Sequence, residues 1–466
     1  MERRGTPSPG QETSEAKSEP TTQDGSSHTI TIVFLTLLID LLGFTLILPL
    51  LPSILDYYGK TDHDGVYQSL QHSVDWFADM IGVPSVRKYN SVLFGGLIGS
   101  MFSVLQFLVS PVTGAASDYF GRRLMMMLTT AGLIVSYALW ALSRNFGIFL
   151  LSRIIGGISK GNVSLSTAII ADLKSPQARS KGMAMIGIAF SLGFTVGPMI
   201  GAYFASNAGK DGTFFLQTAQ LAMVFAVSDL LFIFLFLPET LPKEKRIPSV
   251  SSTFQNARDL LSPVALFRFS AVQRGVDSPS PEGVRTLKVL GLVYFLYLFL
   301  FSGLEYTLSF LTHQRFHFNS MQQGKMFFFV GITMALVQGG YARRIKPGDE
   351  IKAVKRAIAL LIPAFLIVGW ANTVPVLYIG LLFYSFAAAI VIPCLSALVS
   401  GYGAANQKGT VMGILRSLGA LARALGPIVA ATVYWLAGAE LCFTATSFAF
   451  LLPLALLMIP KVKKTE

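Results

Sequence analysis

From Thr31 onward, apolar runs of about twenty residues alternate with short polar turns. A helix of that length crosses a hydrocarbon core of roughly 30 Å. Twelve spans are predicted: 31–51, 91–113, 124–142, 147–171, 182–205 and 213–237, then 289–312, 326–341, 357–370, 374–400, 410–436 and 441–459. Gly and Pro inside them do not argue against helix, because neighbouring spans stabilise such positions in a bilayer. The pattern therefore predicts an all-α membrane protein. Its longest polar interruption, 238–288, separates two pseudo-symmetric six-helix halves, residues 30–237 and 289–460. A weak internal echo supports duplication. Lys181-Gly182 leads into a helix with Ser191-Leu192-Gly193 and Gly197-Pro198, and Lys408-Gly409 leads into one with Ser417-Leu418-Gly419 and Gly426-Pro427.

Composition sharpens this picture. Hydrophobic residues make up 52% of the 466 positions and charged ones only 13%, where soluble domains carry roughly 25%. A soluble enzyme is excluded. The net charge of +12 raises the question of nucleic acid, but most Lys and Arg residues fall in alternate loops. That bias reads as topology, with both termini cytoplasmic, in the plasma membrane or an endomembrane. Membrane lipid is thus an expected partner and nucleic acid is not. The Ser-, Thr- and Pro-rich residues 1–29 read as a disordered cytoplasmic arm, 238–288 as a cytoplasmic linker and 461–466 as a cytoplasmic tail. Cys394 and Cys442 lie within apolar runs, so neither a disulfide framework nor a zinc site is available. No cofactor or metal is expected. The loop Asp56–Asn90, with His63, His72 and Trp76, reads as a partly ordered cap rather than a metal site.

Charged residues near and inside the spans carry the candidate chemistry. In GAASDYFGRR, Gly114 and Gly121 permit a tight inter-helix turn and Asp118 can pair with Arg122, making a latch that breaks in another conformation. This segment resembles the signature loop of the major facilitator superfamily, although Tyr119 stands where that pattern usually has a basic residue. LSRIIGGISKGN (151–162) and SLGFTVGPMIG (191–201) resemble motifs of its drug–proton antiporter branch. In the second, Gly193, Gly197 and Gly201 recur every four residues, so one face admits a close helix and Pro198 bends the segment. LLIDLLGFTLILPLLP (37–52) resembles the opening helix of tetracycline–proton antiporters and places Asp40 among apolar residues. Intramembrane acids are functional candidates by default, so Asp40 and Glu305 are expected to couple protons or cations, with a helix-end cap or a structural contact as the plainer readings. Asp229, in the sixth span, is expected to be mainly structural. Ser136 occupies the place where tetracycline antiporters tend to carry an acid, so their coupling scheme does not transfer directly.

Four cations lie within spans: Arg153 and Lys160, and Arg416 and Arg423, each pair seven residues apart and so on one helical face. Facing the interior, they would attract a carboxylate, sulfonate or phosphate; salt bridging to Asp40, Glu305 or Asp172 is the alternative. ARRIKPGDEIKAVKR (342–356) resembles a degenerate second signature loop without its acid in the usual place, and a basic turn at the membrane surface is the plainer reading. The resemblance implies a twelve-helix secondary transporter working by alternating access; Tyr119 and the degenerate second loop leave a transporter-like receptor or scaffold as the alternative. The cation excess favours an anionic solute, and the resemblance implies amphipathic organic anions, drugs among them, with the chain acting as a monomer.

Overall fold

The computed structural model describes residues 22–458 except 49, 62–64, 85–86, 208–213, 247–256, 275–278 and 319. The first half contains α1 (Thr22–Thr45), the short α2 (Leu51–Thr61) and α3 (Val66–Ile81), then α4 (Arg87–Phe120), α5 (Arg122–Ala141), the pair α6 (Phe146–Ser159) and α7 (Asn162–Ala171), α8 (Pro176–Asn207) and α9 (Phe214–Phe236). Three short helices follow: α10 (Ala257–Leu261), α11 (Pro263–Phe267) and α12 (Ser270–Gln273). The second half contains α13 (Pro281–Phe316), α14 (Ser320–Gly340), α15 (Glu350–Gly369), α16 (Val374–Ser400), α17 (Lys408–Ala437), and the pair α18 (Ala439–Ala449) and α19 (Leu451–Leu456). Among the described residues there is no strand, and 11 segments are long and apolar enough to cross a membrane. The twelfth span is α15, whose first turns carry Lys352, Lys355 and Arg356 before the apolar stretch 357–369.

Three boundaries differ from the sequence reading. Helix α1 begins at Thr22, so residues 22–29 of the expected disordered arm are helical; Thr29 and Thr31 donate their hydroxyls to the carbonyls of Gly25 and Ser27. Residues 1–21 of the arm and the tail 461–466 lie outside the described residues. The linker is partly helical, and the seventh span starts at Pro281, where Ser280 caps it through the Gly283 N–H at 3.2 Å. The cap over the first half is α2 and α3, anchored by buried Tyr58, whose hydroxyl donates to Ser143. His63 lies outside the described residues, and those described contain no cluster of metal-binding side chains.

Glycines govern how the spans pack. A Cβ at Gly193 would lie 2.6 Å from that of Leu41, and at Gly197 and Gly201 it would collide with Thr45 and the Leu46 carbonyl. The small-residue face of α8 therefore seats α1, and the Thr45 hydroxyl donates to Gly193 O at 2.9 Å. The second half repeats this arrangement: Gly419 and Gly426 on α17 seat Tyr294, Leu298 and the Phe299 carbonyl on α13. The two halves meet along α4 and α17, the most extensive helix pair in the molecule, and along α8 and α14. On the first seam Ser417 donates to Phe107 O at 2.5 Å, and on the second Ser191 donates to Gln338 Oε1 at 2.9 Å.

Candidate functional site

The bundle has two ends: the signature face, where α1 begins, and the cap face, where α2 and α3 lie. At the signature face Gly121 adopts φ 99° and separates α4 from α5. Such a backbone suits glycine, and a Cβ there would strike Arg246 and Glu239. The turn aims Asp118, 0% exposed, at the start of α17. One carboxylate oxygen accepts from the Gly409 N–H at 2.9 Å and from Arg122 Nη1 at 2.7 Å. The other accepts from the N–H and hydroxyl of Thr410, both at 2.7 Å. Asp118 thus caps a helix of the opposite half, where free N–H groups and the helix dipole favour an anion. Arg122, also 0% exposed, binds Asp172 through Nε at 3.0 Å and the Ser117 hydroxyl at 2.6 Å. Asp172 accepts from the Thr240 hydroxyl at 2.9 Å, and Glu239 accepts from the backbone N–H groups of Arg122 and Arg123. Gly114 lets the Gly409 backbone lie against α4.

Inside the first half, the fourth span breaks at Lys160-Gly161, between α6 and α7. Gly161 is pressed against Thr113 and Thr129, which leaves no room for a side chain. The break turns Lys160 toward Asp40, 2.5 Å away, with both residues 4% exposed. Its ammonium also stands 4.4 Å from the centre of the Phe44 ring. Arg153 lies over Trp140 at 5.0 Å, and its Nη2 has no hydrogen-bond partner. Ser136 donates to Ser152 O at 2.7 Å.

The cations of the second half have a different setting. Arg416 and Arg423 are partly exposed although their neighbours one turn away, Met412, Gly419, Ala420 and Gly426, are buried. Glu305 is exposed although Phe301, Ser302 and Leu308 on the same helix are buried. Arg416 crosses to the first half and stacks on Phe190 at 5.4 Å. Phe190, Phe194, Phe44 and Phe102 continue as a chain of ring contacts from α8 to α1 and α4. Arg416 Nε and Arg423 Nη2 are without hydrogen-bond partners, while Glu305 accepts from the Tyr384 hydroxyl at 3.3 Å. Electrostatic contact links Lys160 to Arg416, Arg416 to Arg423, and Arg423 to Glu305. This row holds three cations between two terminal acids.

The Major Facilitator Superfamily model matches residues 33–427. The chain belongs to the major facilitator superfamily. It is 65% identical to human major facilitator superfamily domain-containing protein 10 over 435 residues, 93% of each chain. It is 26% identical to the class D tetracycline resistance protein of Salmonella ordonez, over 86% of this chain and 89% of that one. The crystal structure of the human organic anion transporter MFSD10 (TETRAN) superposes with a TM-score of 0.89 at 65% identity, covering 93% of this chain and 99% of that one. The chain is therefore a major facilitator transporter of small molecules and not an enzyme.

Within this major facilitator fold the sequence-selected residues fall into four groups. Gly114, Asp118, Gly121 and Arg122 assemble at the signature face. Gly193, Gly197, Pro198 and Gly201 lie on α8, with the three glycines seating α1. Asp40 and Lys160 form a sealed pair near Arg153, whereas Arg416, Arg423 and Glu305 keep accessible surface. Sequence reading missed Gly409 and Thr410 as the acceptor's partners, and it missed Glu239. Only the run PET at 238–240, directly after an apolar span, carried any signal for Glu239. The second signature loop packs its turn, Ala342–Arg344, near α8, and its acid Glu350 accepts from the Gly348 N–H, so it closes on its own loop.

Proposed function

We propose that this chain is a proton-coupled secondary transporter of small amphipathic organic anions that works by alternating access as a monomer. One observation carries the reading: Arg416 and Arg423 are partly exposed on a helix whose neighbouring positions are buried, each keeps a guanidinium nitrogen without a hydrogen-bond partner, and they lie beside an aromatic wall and near a single acid, Glu305. Guanidinium groups bind carboxylate, sulfonate or phosphate in a forked geometry, and the phenyl rings accept the apolar part of such a solute. The name of the human relative, an organic anion transporter, supports the same class.

In this reading the signature face is cytoplasmic, as are both termini, in the plasma membrane or an endomembrane. The network of Asp118, Arg122 and the start of α17 holds that face shut, and its rupture lets the halves rock around the central row of charges. Asp40 and Glu305 couple protons, because each lies at an end of the cation row where an arriving anion changes its electrostatic surroundings. Arg153 and Lys160 contribute positive potential from inside the first half.

The test is uptake of radiolabelled p-aminohippurate, an aromatic carboxylate, into proteoliposomes. Wild-type protein gives saturable uptake, and Arg423→Ala at equal protein level lowers it at least about tenfold, the equivalent of about 1.4 kcal/mol. Undiminished uptake in Arg423→Ala rejects the anion-binding role. Absence of saturable flux in the wild type, with specific binding retained, favours the receptor or scaffold alternative.

A further inference from the structure

Asp229, on α9, has no part in the cycle described above. It is 0% exposed, and neither carboxylate oxygen has a hydrogen-bond partner. Its position faces protein: α9 packs on α1 where Gly43 admits Phe225 and Ala222, a Cβ at Gly43 lying 3.2 Å from that of Phe225. Asp229 lies one turn beyond Phe225, and Asp40 lies nearly one turn before Gly43 on the antiparallel helix. That crossing brings the two acids into the same wall, where Asp229 acts electrostatically on both Asp40 and Lys160. From α5 comes Tyr137, whose hydroxyl is likewise buried without a partner and which senses Asp40, Asp229 and Arg153 together. Arg153 on α6 and Lys160 at the α6–α7 break are the cations of this wall, and Lys160 is engaged by Asp40.

The charge balance is unequal. Lys160 satisfies one carboxylate, and Arg153 is stacked on Trp140, so a second ionised carboxylate here has no hydrogen bond and no ion pair to support it. An unpaired buried charge costs several kcal/mol, and two carboxylates in one site do not both ionise readily. Lys160 stands where the helix is interrupted, with ψ 45° at its own backbone, so its side chain is anchored on a joint rather than on a continuous helix.

We propose that Asp229 is a proton-carrying residue of the transport cycle, holding a proton while Lys160 is paired with Asp40 and receiving Lys160 once Asp40 is protonated. Asp40 takes up a proton from one aqueous side while Asp229 releases its own to the other, so one O–H bond forms and one breaks; the ammonium keeps its three protons, and the net charge of the wall does not change. Arg416 of the opposite half acts on Lys160, so separation of the halves alters which acid Lys160 prefers. This inference rests on the proton-coupled reading and gives its coupling machinery a third acid.

Two measurements on the full-length protein in lipid test it. Infrared difference spectra follow the carbonyl stretch of a neutral carboxylic acid across pH. Asp229→Asn, close in shape to the neutral acid, removes that band at neutral pH, Glu305→Gln retains it, and Asp40→Asn, which mimics protonated Asp40 and so hands Lys160 to an ionised Asp229, also removes it. A band unchanged by Asp229→Asn overturns the proposal. In proteoliposomes, Asp229→Asn abolishes the stimulation of p-aminohippurate uptake by a pH gradient but keeps exchange of p-aminohippurate across equal pH, and Asp229→Glu retains the stimulation. Loss of the infrared band with full pH-driven uptake makes Asp229 a structural acid and overturns the proton-carrying role. Wild-type uptake that ignores the pH gradient defeats the coupled reading itself, a result separate from either Asp229 outcome.

Discussion

Asp118 shows how much one side chain can bind together. Its carboxylate accepts four hydrogen bonds, three of them from Gly409 and Thr410 in the other half. Removing one partner from such a buried charge network costs about 3–5 kcal/mol, and the cost falls on the conformation with the signature face closed. Asp118→Ala is expected to shift the closed-to-open ratio by about 3 kcal/mol, roughly a hundredfold. A cysteine at Gln407, 5% exposed in this structure, reports the change through faster labelling by a membrane-impermeant maleimide. Equal labelling rates in the two backgrounds count against the latch. The sequence revealed Asp118 and Arg122 as a pair because they lie one helical turn apart. It did not reveal Thr410, because a contact across 292 positions leaves no local trace.

At the scale of elements, periodic glycines were legible and their partner was not. A repeat of small residues every four positions states that some helix comes close; only the packed bundle identifies α1 as that helix. The consequence is measurable. Gly201→Ala drives a methyl group into the Leu46 carbonyl, and overpacking of this kind costs about 1–3 kcal/mol. Gly99→Ala meets nothing within 4 Å and is expected to be neutral or to stabilise by about 0.5–1 kcal/mol, since alanine is the better helix former. Thermal melting in detergent separates the two, with a lowered midpoint for the first alone. The echo between Ser191-Leu192-Gly193 and Ser417-Leu418-Gly419 acquires a physical meaning in the same way, since both glycine faces receive the first helix of their own half. The break at Lys160-Gly161 was not legible in the hydropathy pattern, because Phe146–Ala171 as a whole is still long and apolar enough to cross a membrane.

For the whole molecule, the central fact is that intramembrane charges are of two kinds. Asp40 and Lys160 pair with each other in a sealed wall, whereas Arg416, Arg423 and Glu305 keep accessible surface. Transport that links anion and proton needs both kinds, one to meet the solute and one to store charge out of its reach. Accordingly, Asp40→Asn combined with Glu305→Gln is expected to abolish the lumenal pH change driven by substrate in vesicles, read with a trapped pH dye. A pH change that survives both substitutions removes these acids from coupling. The amino-acid sequence alone determined the spanning segments, their division into two sixes and the membership of the fold, because hydropathy and helix length are local properties that the bilayer reads directly. Tertiary structure alone decided which charge is paired, which is open and which acid lies beside which cation. Partners such as Asp40 and Lys160, or Asp118 and Thr410, are chosen by helix crossings that glycines permit, and distance along the chain has no bearing on them.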